Sequence, residues 1–234
     1  MAGLATGGPN PDVSLLHDIN GIAASTPGWV DRLVAAVGEY GLIAALVLLV
    51  LWCWRGARRQ PGPEATESFV ALVWAPLAAG LALLVNIPLR SFVGRPRPFA
   101  HYPGIHVLAS GRTGFSFVSD HATLTMALGV GLFVAHRKYG LIGIGLALLE
   151  GFCRVYTGAH YPTDVIGGFA LGTAVVLLFA PPAIWLLTPV VRAVAGSPRA
   201  GRLVRSRTLP PPRPVELAAS QGAEEYVQER DLAA

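Results

Sequence analysis

Ser68-Phe-Val-Ala-Leu-Val-Trp-Ala-Pro-Leu-Ala-Ala-Gly-Leu-Ala-Leu-Leu-Val-Asn-Ile-Pro-Leu89 is a run of 22 residues without a charge. A helix rises about 1.5 Å per residue, so about 20 apolar residues cross the hydrocarbon core of a bilayer. The run therefore predicts a transmembrane helix. Four further apolar segments accompany it: about Trp29–Trp54 before it, and about Ala122–Ala135, Tyr139–Phe152 and Val165–Val191 after it. In the first of these the charges Asp31, Arg32 and Glu39 are confined to the early turns. The runs at Ala122 and Tyr139 are short for a span unless flanking residues extend them. The last holds 27 uncharged residues, and Pro181-Pro182 is expected to kink it or end it early. Composition agrees. The chain is 53% hydrophobic and only 14% charged, with a mean hydropathy of +0.51, whereas soluble domains carry about 25% charged residues. We expect an all-α, polytopic membrane helical bundle of about five transmembrane helices.

The ends of the chain differ from this middle. In residues 1–28, Leu15, Leu16, Ile19 and Ile22 recur at helical spacing among Asp18 and Asn20. That pattern predicts a short amphipathic helix at the membrane interface, closed by Ser25-Thr26-Pro27-Gly28. Met1–Asn10 has no basic region, so no secretory signal is expected and the first span itself directs insertion. Residues 29–191 form the membrane-integrated domain. Residues 192–234 are expected to be a disordered Pro/Arg-rich cytoplasmic tail near anionic lipid, with Pro210-Pro-Pro-Arg-Pro as the alternative of an SH3-like ligand.

Charge position orients the bundle. Of 18 basic residues 17 are Arg, and twelve fall where successive spans share one face: Arg55, Arg58 and Arg59, Arg137 and Lys138, and seven Arg after Val191. The positive-inside rule places that face in the cytoplasm. Five of the remaining six lie in segments 90–121 and 150–164, on the opposite face. Arginine there breaks the rule unless something requires it, and this is the first functional signal. No basic stripe with interleaved aromatics points to nucleic acid. Cys53 and Cys153 fall near opposite faces and make no disulfide framework.

The two outer segments carry a constellation. The first runs from Asn86-Ile-Pro-Leu-Arg90 through Arg95-Pro-Arg97-Pro98 to Phe115-Ser-Phe-Val118-Ser119-Asp120-His121. The second is Glu150-Gly-Phe-Cys153-Arg154-Val-Tyr156-Thr-Gly-Ala-His160-Tyr-Pro-Thr-Asp164. Guanidinium forks match phosphate oxygens bidentately and stay charged at any working pH, so Arg90, Arg97 and Arg154 suit a phosphate. Ser119 stands where a helix begins, and its hydroxyl with the free backbone N–H groups there makes an anion site. Two histidines, His121 and His160, allow attack by one and proton donation by the other. Asp164, four residues after His160, is placed to hold that ring in one tautomer.

Arg90-x6-Arg97-Pro98, Ser119-x-His121 and Arg154-x5-His160-x3-Asp164, in this order with helices between, resemble the three signature motifs of the type 2 phosphatidic acid phosphatase superfamily. The family pattern is Lys-x6-Arg-Pro, Pro-Ser-Gly-His and Ser-Arg-x5-His-x3-Asp. The chain departs from it at Arg90 for Lys, Val118 for Pro, Asp120 for Gly and Cys153 for Ser. The Ser-Asp-His form is most similar to the bacterial undecaprenyl-diphosphatase branch. The resemblance implies a lipid phosphatase domain over 29–191, with membrane lipid phosphate as substrate, no metal and no cofactor. It implies that His160 forms a phosphohistidine, that Asp164 orients it, and that His121 protonates the leaving oxygen and then activates water. Arg90, Arg97, Arg154 and Ser119, with backbone near Asp120, would hold the phosphate oxygens. On this resemblance the site lies on the extracytoplasmic face.

Other residues carry plainer expectations. Arg95 and Arg112 match no motif position and read as headgroup or rim contacts. His101 and His106 read as solvated, and His17 and His136 carry no signal. Asp120 either helps a second phosphate through water or, as a first-turn acid, only favours the helix dipole. Glu150 is a functional candidate or a partner for Arg154 at i+4. Trp52, Trp54 and Tyr139 read as interfacial belt residues. The substrate alternatives are undecaprenyl diphosphate and a glycerophospholipid such as phosphatidic acid or phosphatidylglycerophosphate. A non-catalytic lipid-binding protein would need the arginines but not both histidines and Asp164.

Overall fold

A computed structural model describes residues 10–59, 62–108, 114–197 and 201–204. Arg112 and the tail beyond Val204 lie outside the described residues, as does most of the segment before α1. Among the described residues nine α-helices follow one another: α1 Pro11–Ser25, α2 Gly28–Ala36, α3 Leu42–Ala57, α4 Gly62–Val93, α5 Pro98–His101, α6 Asp120–Ala135, α7 Arg137–Tyr156, α8 Pro162–Gly196 and α9 Gly201–Val204. Among the described residues there is no strand. A π-helical turn, Val37–Gly41, joins α2 to α3 into one helix of 30 residues, Gly28–Ala57. This helix, Ala65–His101, Arg137–Tyr156 and Pro162–Gly196 are long and apolar enough to cross a membrane.

The remaining apolar segment, at Ala122–Ala135, behaves differently from these four. α6 has 16 residues, about 24 Å at the α-helical rise, which is short for a span. Ten of its residues are buried, because it is the central rod against which α4, α7 and α8 pack. Small residues let the backbones close up. A Cβ added at Gly129 would lie 2.8 Å from the carbonyl carbon of Gly143 on α7, so this crossing admits glycine at that point. Trp74 of α4 satisfies its indole N–H on the Val176 carbonyl of α8 at 3.2 Å.

Two expectations change. Pro181-Pro182 does not end α8, which runs on to Gly196 with Pro181, Pro182 and Pro189 inside it, beyond the domain boundary expected at Val191. The helix of the N-terminal segment is also more than an interfacial rod. α1 starts at Asn10, whose side chain accepts from the Asp12 N–H, with Pro11 at the first helical position. It buries Leu16, Asn20 and Ala23 against protein, packing on α7 and α8. The Asn20 amide donates to the carbonyls of Tyr156 and His106 at 2.8 and 2.9 Å and accepts from the His106 N–H. α1 is thereby fastened to the end of the bundle where α4 and α7 finish and α6 and α8 begin.

Candidate active site

Every motif residue falls at that one end. Arg90 is in the last turn of α4, Arg97 caps α5, Ser119 caps α6, Arg154 is in the last turn of α7, and Asp164 is in the first turn of α8. His160 lies in the short link between α7 and α8. The backbone of this link is tied down, with the Ala159 and His160 N–H groups both donating to the Arg154 carbonyl at 3.1 and 3.3 Å. The Ser119 N–H donates to the Asp164 carbonyl at 3.1 Å, which locks the start of α6 to the start of α8.

His160 is 2% exposed. Its Nδ1 lies 2.9 Å from the Ser116 carbonyl oxygen, which only accepts, so Nδ1 carries the proton. Nε2 then holds the lone pair, 3.4 Å from Arg97 Nη1. Burial pushes the His160 imidazole below its ordinary range, and the Arg97 and Arg154 cations add to this while Asp164 opposes it. A neutral ring with Nε2 unprotonated is the form of imidazole able to act as a nucleophile. Asp164 stands 3.8 Å from Nδ1, too far for a direct hydrogen bond. The Ser116 hydroxyl connects the two, donating to Asp164 Oδ2 at short range and lying 3.5 Å from Nδ1. The ring's tautomer is therefore held by the Ser116 backbone, and the Asp164 charge acts through the serine.

Arg154 is completely buried at the centre of a second group. Its Nε lies 3.2 Å from Glu150 Oε1, the i+4 partner expected from the sequence, and both side chains are 0% exposed. Its Nη1 and Nη2 reach Glu39 Oε2 at 3.2 and 3.3 Å. The other Glu39 oxygen is 3.8 Å from His121 Nε2. Glu39 belongs to the π-helical turn of the first span. A Cβ on its neighbour Gly38 would come 2.6 Å from Cys153 Cβ. Cys153, where the family pattern has Ser, thus packs against the first span.

A third group joins Arg90 to the carboxylate of Asp120, which also accepts from the Asn86 amide at 2.7 Å. Asp120 is therefore a partner of Arg90 in the structure, in addition to being a first-turn acid of α6. Ser119 accepts from the Ala122 N–H at 3.4 Å in the ordinary N-cap manner.

Sequence reasoning missed four participants. Arg95, expected at the rim, bridges Asp164 Oδ1 at 2.9 Å and Asp12 Oδ2 at 2.6 Å and lies over the Tyr161 ring. Asp12 of α1 also accepts from the backbone N–H and the hydroxyl of Thr163, at 2.9 and 2.7 Å. Ser116 and Glu39 complete the set. The i, i+4 rule found the Glu150–Arg154 pair. No comparable local rule links Asp12 to Thr163, 151 residues away. The exposed ring of His101 packs edge-on to Tyr102.

Comparison with known proteins agrees with the motifs. The family model described as "PAP2 superfamily" matches residues 71–185. The undecaprenyl-diphosphatase BcrC of Bacillus subtilis (strain 168) is 29% identical over 151 residues, covering 64% of this chain and 73% of that protein. The decaprenylphosphoryl-5-phosphoribose phosphatase of Mycobacterium tuberculosis (strain CDC 1551 / Oshkosh) is 30% identical over 175 residues, covering 74% of this chain and 90% of that one. In fold, the crystal structure of Aquifex aeolicus LpxE superposes with a TM-score of 0.53 at 20% identity, over 76% of this chain and 99% of that one.

Proposed function

The chain belongs to the PAP2 superfamily, and on that premise we propose that it is a metal-independent lipid phosphatase that converts a polyprenyl diphosphate, undecaprenyl diphosphate, to the monophosphate. The observation that carries the chemistry is His160, buried and neutral, with Nδ1 committed to the Ser116 carbonyl and Nε2 facing Arg97. Nε2 attacks the terminal phosphorus as the bond to the bridging oxygen breaks, and a ring proton of His121 passes to that oxygen. Water, deprotonated by His121, then cleaves the phosphohistidine and releases inorganic phosphate. Arg97 and Arg90, with the N-terminus of α6 at Ser119, neutralise the phosphoryl oxygens, which is most of what phosphoryl transfer asks of a protein, while Arg154, buried between Glu150 and Glu39, acts through its charge on His160. Asp164, through Ser116, offsets the charge on the phosphorylated ring.

The substrate part of this reading draws on the likeness to the diphosphatase BcrC. The likeness to a phosphoribose phosphatase supports a second reading, a lipid phosphate monoester, with the same residues in the same roles. Purified protein offered undecaprenyl diphosphate, a polyprenyl monoester and phosphatidylglycerophosphate in excess EDTA distinguishes them. The expected result is release of one phosphate per diphosphate, inhibited by orthovanadate, which mimics the trigonal-bipyramidal transition state on His160. Restoration by Mg²⁺ of an activity abolished by EDTA would overturn the metal-independent mechanism, and turnover of glycerophospholipid alone would replace the substrate.

For sidedness we propose the site outside and the opposite end in the cytoplasm. Arg55, Arg58 and Arg59 at the end of α3 and Arg137 and Lys138 at the start of α7 lie at the end away from His160, as the positive-inside rule asks. Impermeant thiol reagent applied to intact cells should label His101→Cys and miss Gly62→Cys, and native Cys53 and Cys153 are buried. The reverse pattern would invert the orientation.

A further inference from the structure

The proposed mechanism leaves one carboxylate at the site without a task. Glu39 lies on the π-helical turn of the first span, outside all three motifs. Such turns insert one extra residue into a helix and occur often at functional sites, because they re-aim a side chain. Here the turn, with Gly38 pressed against Cys153, points Glu39 at Arg154 and His121 together.

The surrounding charges explain what a carboxylate does there. Glu150 and Glu39 both face the guanidinium of Arg154, and Glu39 turns its second oxygen toward the His121 ring at 3.8 Å. A carboxylate about 4 Å from an imidazole favours its charged form. Other charged groups at this end of the bundle have partners of their own. Asp120 in the first turn of α6 is bound by Arg90 of α4, and Asp164 at the start of α8 is bound by Arg95. Arg97 lies against His160.

We propose that Glu39 is the positioning residue for His121, its carboxylate charge 3.8 Å from the ring keeping the imidazole protonated for the leaving group. The proposal rests on the reading of His121 as the acid. In the first half-reaction the P–N bond to His160 forms, the P–O bond breaks with its electron pair staying on oxygen, and a His121 N–H proton goes to that oxygen. Glu39 remains ionised throughout. In the second half His121 takes a proton from water and regains its charge beside Glu39.

The test uses full-length Glu39→Gln, Glu39→Asp and His121→Ala in detergent, assayed on a lipid phosphate monoester, which must expel an alkoxide, and on nitrophenyl phosphate across pH. Glu39→Gln should lower kcat on the lipid by about 10- to 100-fold, the equivalent of one to two pKa units of lost charge support for the imidazolium, with a smaller change in KM. The loss should be smaller on nitrophenyl phosphate, whose leaving group needs no proton. That retained activity also shows that the variant folds. The alkaline limb of the lipid profile should move to lower pH, and Glu39→Asp, which keeps the charge, should recover part of the rate. Equal losses on both substrates with an unmoved limb would mean that Glu39 only holds Arg154, and would overturn the proposal. If His121→Ala itself slowed both substrates equally, the reading of His121 as acid would fall and the proposal with it.

Discussion

Turnover and phosphoenzyme should both vanish in His160→Ala. The ring is the buried group whose free nitrogen stands beside a guanidinium, and its Nδ1 is fixed by a backbone carbonyl that a substitution elsewhere does not remove. Losing a covalent nucleophile in a preorganised site costs about 10⁶-fold, with a residue of catalysis left from charge stabilisation and binding. The arginines remain in the variant, so lipid should still bind while phosphate release falls to background. Quenching wild-type enzyme with radiolabelled diphosphate should trap an acid-labile, base-stable label that the variant lacks. A variant retaining labelled protein would place the nucleophile on another side chain.

His121→Ala should be the next most damaging change on a lipid phosphate monoester, by about 100- to 10,000-fold, the range for loss of a general acid. Its signature is dependence on the leaving group. The alkoxide that a lipid monoester releases is a poor leaving group without a proton, whereas nitrophenolate leaves as an anion, as does the phosphate that a diphosphate releases. The same variant should therefore lose much less on nitrophenyl phosphate in the first half-reaction, until water activation in the second half limits it. Rates of the initial burst and of the steady state separate the two halves. A burst as slow as that on the lipid would remove His121 from the acid's role.

How much of this was legible in the sequence depended on distance along the chain. The spans at Ser68–Leu89 and Val165–Val191 declared themselves by length and lack of charge, and the motif residues by spacing. Arg154 and Glu150 were linked because four residues is one helical turn. Asp12, Asn20, Ser116 and Glu39 were not found, because each looks like an ordinary polar residue in a loop or early turn. Their partners lie 151, 136, 48 and 115 residues away. That Pro181-Pro182 does not end α8 has a different cause. Proline is costly inside a helix of a soluble domain, but in a membrane helix neighbouring groups can take up the freed carbonyls. Asp120 was seen as a first-turn acid, and its pairing with Arg90 depends on where α4 ends relative to α6. No local pattern encodes that.

The docking of α1 has a consequence for biogenesis. Asp12 grips Thr163 and Arg95 beside His160, whereas Arg55–Arg59 close the far end of the first span. On the proposed sidedness, with those arginines in the cytoplasm, residues 10–27 must be carried through the bilayer before α1 can dock. That passage is eased by their few charges, Asp12 and Asp18. It becomes hard for anything that folds first in the cytosol. A fast-folding fluorescent protein fused ahead of Asn10 would be held on the wrong side, and the clasp at Thr163 would never close on a chain whose helices were otherwise in place.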